Sequence, residues 1–264
     1  MILSICIPTY NRARYLKELL AALIPQLDSI HSDDVELIIS DNCSTDETFD
    51  FCKSIARPYI RFWRNEMNIG GDRNFLKCIQ EAKGEYVWLV GDDDVVEQDG
   101  VSHVVDGLRS EAPSFMIVGG VNPEKDVYDD YRTCVLAEQQ CLKSFALAHT
   151  LISVNIFKRR LFCMEFAEAK LWTQYAHMFG LMKGMQGKVV ILPGVVRARE
   201  VRAEFAKYPS FLCIKQALYL WYLAGRFELP GYRARAVLSV CNLPFEFGSR
   251  IKFYLLKMFR FLFR

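Results

Sequence analysis

Short apolar runs alternate with segments whose apolar residues recur every three or four positions, and this rhythm fills the first hundred residues. Residues 3–7 form a β-rich run. Residues 14–27 follow, with Leu16, Leu19, Leu20, Leu23 and Ile24 on one helix face. Residues 35–39 read as a second apolar strand, 45–56 as a helix, and 60–63 as a third strand. A third helix over 72–82 then leads to a fourth strand, 86–90. Apolar strands joined by helices indicate a mostly parallel sheet covered on both faces, an α/β fold. Ligands in such sheets bind beyond the carboxyl ends of the strands. Each predicted strand here ends in a polar cluster: residues 8–12, Asp41 with Asn42, residues 65–74, and Asp92, Asp93 and Asp94. Four polar strand ends on one rim form a site.

The middle of the chain is less regular. A strand is expected over Phe115–Val118, and the polar stretch 122–132, with its acids and Pro123, reads as a loop over the site. Further on, the pattern predicts a helix over 137–148, a strand over 151–157, a helix over 171–185 and a strand over Val189–Leu192.

A chain of 264 residues, 52% hydrophobic and 24% charged, supports one substantial α/β domain with a C-terminal extension. The net charge of +2 gives no global argument for nucleic acid. Nine cysteines without a C-x-x-C pair, most of them among apolar neighbours, read as buried thiols and point to a reducing cytosol. The first residues lack a basic leader, and charges interrupt every window of spanning length. Neither a secretory signal nor a transmembrane helix is expected.

Gly91-Asp92-Asp93-Asp94 follows a buried strand, where hard cations such as Mg²⁺ or Mn²⁺ find carboxylate oxygens. A cation bridging aspartate and diphosphate neutralises a leaving group. Acids also decorate strand-to-helix turns without binding anything. Receiver domains and haloacid-dehalogenase-type phosphatases place aspartates at strand ends too, but want D-x-D-x-[TV] or a downstream lysine strand.

The wider pattern carries a resemblance. Residues 4–12, ending Pro8-Thr9-Tyr10-Asn11-Arg12, resemble the opening strand of family-2 glycosyltransferases of the GT-A fold. Asp41-Asn42-Cys43-Ser44-Thr45-Asp46-Glu47-Thr48 is similar to their second signature, and Asn68-Ile69-Gly70-Gly71 with Arg73-Asn74 to their third. The aspartate triplet falls where their D-x-D motif belongs. Ser153-Val154-Asn155-Ile156-Phe157-Lys158-Arg159 adds a likeness to O-antigen sugar transferases of the abequosyltransferase type. The resemblance implies a Rossmann-like GT-A domain over 1–205, with a nucleotide-sugar half (1–110) and an acceptor half (111–205). It implies that Thr9 and Arg12 border the nucleotide, Asn11 supports their loop, and Asp41 hydrogen-bonds the base. Arg73 would stand near base or diphosphate, Asp92 at the ribose, and Asp93 or Asp94 at the metal. Pro8, Asn42, Gly70 and Asn74 join the nucleotide-sugar set. Asp46 reads better as a helix cap than as a ligand contact.

Inverting members of that family use a carboxylate as general base. The matching stretch here, Leu171-Trp172-Thr173-Gln174-Tyr175, holds no acid. Glu165, Glu168 and His177 are the neighbouring candidates. Arg197 and Arg199 are either diphosphate-facing or edge-strand charges. Residues 206–264 are expected to form a helical C-terminal extension, and a helix over its last part, 249–264, would place Arg250, Lys257, Arg260 and Arg264 on one face among Phe and Leu. That pattern suits a helix lying on anionic lipid. A terminal helix packed on the domain is the alternative.

The expected function is transfer of a sugar from a nucleotide diphosphate, with Mg²⁺ or Mn²⁺, to a saccharide acceptor that is lipid-linked. It would serve surface polysaccharide synthesis at the cytoplasmic face of a membrane. The alternative is a non-catalytic nucleotide-binding or scaffold protein. A nucleotidyltransferase would show a glycine-rich loop with a lysine after the first strand, which Thr9 to Arg12 is not.

Overall fold

The hydrophobic rhythm builds an eight-stranded sheet in the order β3-β2-β1-β4-β8-β6-β9-β7. The computed structural model describes residues 1–30, 33–119, 125–137, 152–168 and 186–197. The first four strands are β1 (Leu3–Thr9), β2 (Val35–Asp41), β3 (Ile60–Arg64) and β4 (Tyr86–Leu89). They run parallel, with β1 central between β2 and β4. Helices α1 (Ala13–Asp28), α2 (Thr48–Ser54) and α3 (Gly71–Glu81) connect them. β1 and β2 are buried at every position, because helices cover both faces.

Beyond β4 come β5 (Val95–Val96), α4 (Gly100–Glu111), β6 (Phe115–Val118), β7 (Asp126–Tyr128) and α5 (Tyr131–Ala137). A 3₁₀ turn over Ile152–Val154 leads into β8 (Asn155–Lys158), which is antiparallel to both β4 and β6. β9 (Val189–Leu192) runs parallel to β6 and antiparallel to β7. β10 (Val196–Arg197) pairs with β5 in a separate two-stranded ribbon.

Several expectations change. The loop expected over 122–132 contains β7 and the start of α5; three residues are too few for alternation to register. The strand expected over 151–157 begins as a 3₁₀ turn. The sequence pattern gave no prediction of α4, although Val101, Val104, Val105 and Leu108 bury one helical face. Of the helix expected over 137–148 only Ala137, the last residue of α5, is described; the helix expected over 171–185 and the extension 206–264 lie outside the described residues.

β2 is not purely apolar. Glu36 is 2% exposed within it. Its Oε1 accepts hydrogen bonds from the Ser4 hydroxyl (2.6 Å) and the Lys83 N–H (2.7 Å), and Arg61 reaches Oε2 at 3.0 Å. The Gly84 N–H also donates to Ser4 Oγ (2.8 Å), so the entry to β4 is tied to β1 and β2 together. Burial alone would raise the Glu36 pKa, but the bonds from Ser4, Lys83 and Arg61 outweigh it and hold the carboxyl below its usual range. A pKa depressed by folding contributes stability above the unfolded value, and that contribution is lost as pH falls through the folded value. Glu36→Gln is therefore expected to cost about 1.5–3 kcal/mol at pH 7, the range for hydrogen bonds to charged groups. Thermal melts should show this difference shrinking below about pH 4, where the unfolded carboxyl protonates. A constant difference from pH 7 to 3 would contradict the assignment.

Candidate functional site

The parallel strands bring their carboxyl ends to one rim, and the ladder continues past them. The Asn42 N–H donates to the Thr9 carbonyl (2.9 Å), Asn65 to Asp41 (2.8 Å) and Val90 to Cys6 (2.8 Å). Thr9 stands between two of the predicted acids. Its Cα is in register with Asp41, and its hydroxyl donates to Asp92 Oδ2 at 2.7 Å. Pro8 is buried behind it in β1.

The three aspartates have three different partners. Asp92, held by Thr9, is 9% exposed. Burial pushes its pKa up to about 7; Thr9 and Arg12 pull against that, while Asp93 and Asp94 add to it. Asp93 Oδ2 pairs with Arg12 Nη1 at 3.1 Å, with both side chains more than a third exposed. The Arg12 guanidinium also lies over the Tyr15 ring, 5.3 Å from its centroid. Asp94 Oδ2 accepts from the hydroxyl of Ser153, whose oxygen in turn accepts the Gly91 N–H at 2.8 Å.

The loops after β1 and β2 are pinned together. Asn11 adopts a left-handed φ of 53°, which asparagine tolerates better than most residues. Its Oδ1 accepts from the Thr45 N–H (2.8 Å) and hydroxyl (3.3 Å), and its N–H donates to Ser44 Oγ (2.8 Å). Asp46 accepts from the Thr48 N–H (3.0 Å) and the Ala13 N–H (3.2 Å), holding the first turns of α2 and α1 together. Burial opposes its ionisation, but these bonds outweigh burial and lower its pKa.

Asp41 is fully buried. Its Oδ1 accepts from the Ser44 N–H (3.0 Å), while Oδ2 lies 3.5 Å from Arg64 Nε without a hydrogen bond. Arg64 also donates to the Ser44 carbonyl at 2.6 Å and covers the Phe49 ring.

Asn42, Asn65 and Asn74 make a buried amide network. Asn74 Oδ1 accepts from Ser40 Oγ (2.7 Å) and Asn65 Nδ2 (3.0 Å), and its Nδ2 donates to the Ser40 carbonyl (2.9 Å). Asn42 Oδ1 accepts from Asn65 Nδ2 (3.1 Å) and the Ile69 N–H (3.0 Å), and its Nδ2 donates to Asn68 Oδ1 (2.8 Å). Both amides are thus engaged in shaping the 65–71 loop. Gly70, with φ of 85°, and Arg73 stand exposed at its end.

The other candidates fall on separate elements or outside the described residues. Glu165 and Glu168 are exposed on a five-residue helix, Met164–Glu168. Arg197 belongs to β10 and pairs with Glu97 at 2.6 Å. His177, Arg199, residues 171–175 and the 249–264 segment lie outside the described residues. Ser153 and Arg64 are contacts of the site that sequence reasoning did not assign, although Ser153 opens the 153–159 segment. Among the described residues no helix is long and apolar enough to cross a membrane.

The chain is similar in sequence and in fold to several known proteins. Abequosyltransferase RfbV of Salmonella typhimurium is 31% identical over 203 residues, which are 69% of this chain and 60% of that protein. Poly(ribitol-phosphate) beta-N-acetylglucosaminyltransferase TarS of Staphylococcus aureus is 31% identical over 100 residues, 36% of this chain and 17% of that protein. The chain thus spans less than two thirds of these relatives. The structure of TarS 1-349 in complex with UDP-GlcNAc matches with a TM-score of 0.65 at 16% identity, covering 100% of this chain and 82% of that one. Mannosyltransferase PcManGT from Pyrobaculum calidifontis, in complex with GDP-Man and Mn²⁺, matches with a TM-score of 0.54 at 16% identity, covering 98% of this chain and 79% of that one. The mostly parallel sheet flanked by helices is therefore the GT-A fold. The family model for Glycosyl transferase family 2 matches residues 4–168. The chain belongs to that family.

Proposed function

We propose that this protein transfers a sugar from a nucleotide diphosphate sugar to a saccharide acceptor with the help of Mg²⁺ or Mn²⁺. The observation that carries the reading is the rim cluster: Thr9 between Asp41 and Asp92, with Arg12, Asp93 and Asp94 beside it. The relatives support it, since their names and complexes include sugar transfer, UDP-GlcNAc, GDP-Man and Mn²⁺.

The donor set fits a hard cation. A Cβ built on Gly91 would lie 2.7 Å from Asp94 Oδ2 and 3.4 Å from Asp93 Oδ1, so both carboxylates turn toward one point. Among the described residues no three acid, histidine or cysteine side chains converge into a complete cage. A cation held by Asp93 and Asp94 would take its remaining oxygens from a diphosphate, as Mg²⁺ commonly does. When bound, it neutralises the charge that builds on the departing diphosphate.

The chain's own residues do the rest. Asp41, whose buried Oδ2 makes no hydrogen bond, accepts an N–H of the base. Asp92 accepts from the ribose, and Arg12 swings from Asp93 toward the diphosphate. Arg73 lines the same rim, and Gly70 lets the backbone approach. The acceptor is a lipid-linked saccharide presented at the cytoplasmic face of a membrane, with residues 249–264 on the lipid surface. Glu165, Glu168 and His177 are the candidate bases.

One observation favours the second reading, a nucleotide-binding scaffold: residues 171–175 hold no acid. Calorimetric titration with UDP, GDP, CDP and dTDP, each with and without Mn²⁺, tests the donor site. Metal-dependent binding of one nucleotide is expected. Folded protein that binds none of them removes the transferase reading. Binding without donor turnover in any acceptor extract leaves the scaffold.

A further inference from the structure

We infer that Gly91 and Ser153 form a seat for the Asp94 carboxylate, and that Ser153 is a positioning residue that sets the cation affinity of the aspartate turn. This rests on the donor-site reading above. The turn closes through the Asp94 N–H donating to the Gly91 carbonyl at 3.1 Å, which folds the Asp94 side chain back over Gly91. Ser153 meets it there. Its oxygen accepts the Gly91 N–H, and its O–H donates to Asp94 Oδ2. The hydroxyl thus couples backbone and carboxylate, using both its donor and an acceptor position.

Ser153 is itself rigidly held. It is 2% exposed, and its carbonyl accepts the Trp88 indole N–H at 2.6 Å. It sits in the 3₁₀ turn directly before β8, whose Ile156 is in register with Trp88 of β4. The aspartate turn leaves one end of β4, and the group that orients Asp94 is delivered by the neighbouring strand.

Glycine at 91 is explained by space rather than by conformation. Its φ is not among the left-handed values, so other residues fit its backbone. A Cβ would instead occupy the place of Asp94 Oδ2, 2.7 Å away. The obstructing atom is the far end of a side chain, so Gly91→Ala leaves the backbone and moves the carboxylate. The absence of a side chain at 91 is what gives Asp94 its room.

Groups that orient a metal ligand typically change metal affinity about 10–100-fold when removed. The test titrates Mn²⁺ into wild type, Ser153→Ala and Gly91→Ala, read by the resonance signal of free Mn²⁺. Each titration contains whichever of UDP, GDP, CDP or dTDP the wild type binds. Both variants are expected to weaken Mn²⁺ about 10-fold or more, with metal-free nucleotide affinity unchanged. Melting curves accompany each titration to establish that the variants are folded. Unchanged Mn²⁺ affinity in both folded variants overturns the seat. So does an equal loss of metal-free nucleotide binding, which would mark a general loosening of the rim. Wild type without metal-dependent binding removes the donor-site reading itself, an outcome distinct from the other two.

Discussion

Asp93→Ala and Asp94→Ala are each expected to remove the Mn²⁺-dependent part of nucleotide binding and to lower sugar transfer by about 10²–10³-fold, the usual cost of deleting a charge-stabilising group. The two carboxylates converge on the space beside Gly91, so neither alone makes a two-point hold on a cation. Asp93 can change partners cheaply. Its ion pair with Arg12 is more than a third exposed on both sides, and such pairs are worth about 0–1 kcal/mol. A divalent cation held by Asp93 would replace that contact at little cost, and Arg12 would then be free to turn to the diphosphate. Arg12→Ala should therefore weaken nucleotide binding in both the presence and absence of metal. The aspartate variants should act only in its presence. Calorimetry with and without Mn²⁺ separates the two patterns. Equal losses from all three variants in metal-free buffer would contradict the division of labour.

Much of this site is legible from the residues because it is built at strand ends. A buried parallel strand is a continuous apolar run, so its end is visible as the first polar cluster. Thr9, Asp41 and Asp92 stand out that way, and the sheet pairing brings them together. What the pattern does not reveal is whether a polar side chain on that rim faces a ligand or the protein. Asn42 and Asn74 look like binding residues in sequence, yet their amides are engaged with Ser40, Asn65, Ile69 and Asn68. Only the distances distinguish the two. Glu36 is hidden for the opposite reason: one charge inside a run of valine, leucine and isoleucine does not break the run. Its partners are brought to it by β1, β3 and the turn before β4, which lie tens of residues away. Ser153 belongs to a legible segment, but its role is not legible, because the turn it serves is 59 residues earlier. The alternation within a strand fixes which face is buried, but not which distant strand it pairs with.

Trp88→Ala is expected to be among the most destabilising single changes in the core, at about 3–5 kcal/mol. Trp88 is fully buried in β4, in register with Ile5 of β1 on one side and Ile156 of β8 on the other. Two costs combine. Truncation leaves a cavity in the centre of the sheet's packing, where close-packed neighbours on paired strands have little room to relax. It also strands the Ser153 carbonyl, which loses the indole N–H at 2.6 Å; a buried acceptor left unmet costs about 1–3 kcal/mol. For a chain of this size each kcal/mol shifts the melting temperature by roughly 2–4 °C, so a loss of about 10 °C is expected in a thermal melt. Trp88→Phe keeps most of the volume but loses the hydrogen bond, so it shrinks the first cost and keeps the second. That variant should melt only a few degrees below wild type while weakening Mn²⁺ binding, because the turn carrying Ser153 loses its anchor. If Trp88→Phe leaves the Mn²⁺ affinity untouched, the indole serves the core alone and Ser153 is held by β8 without it.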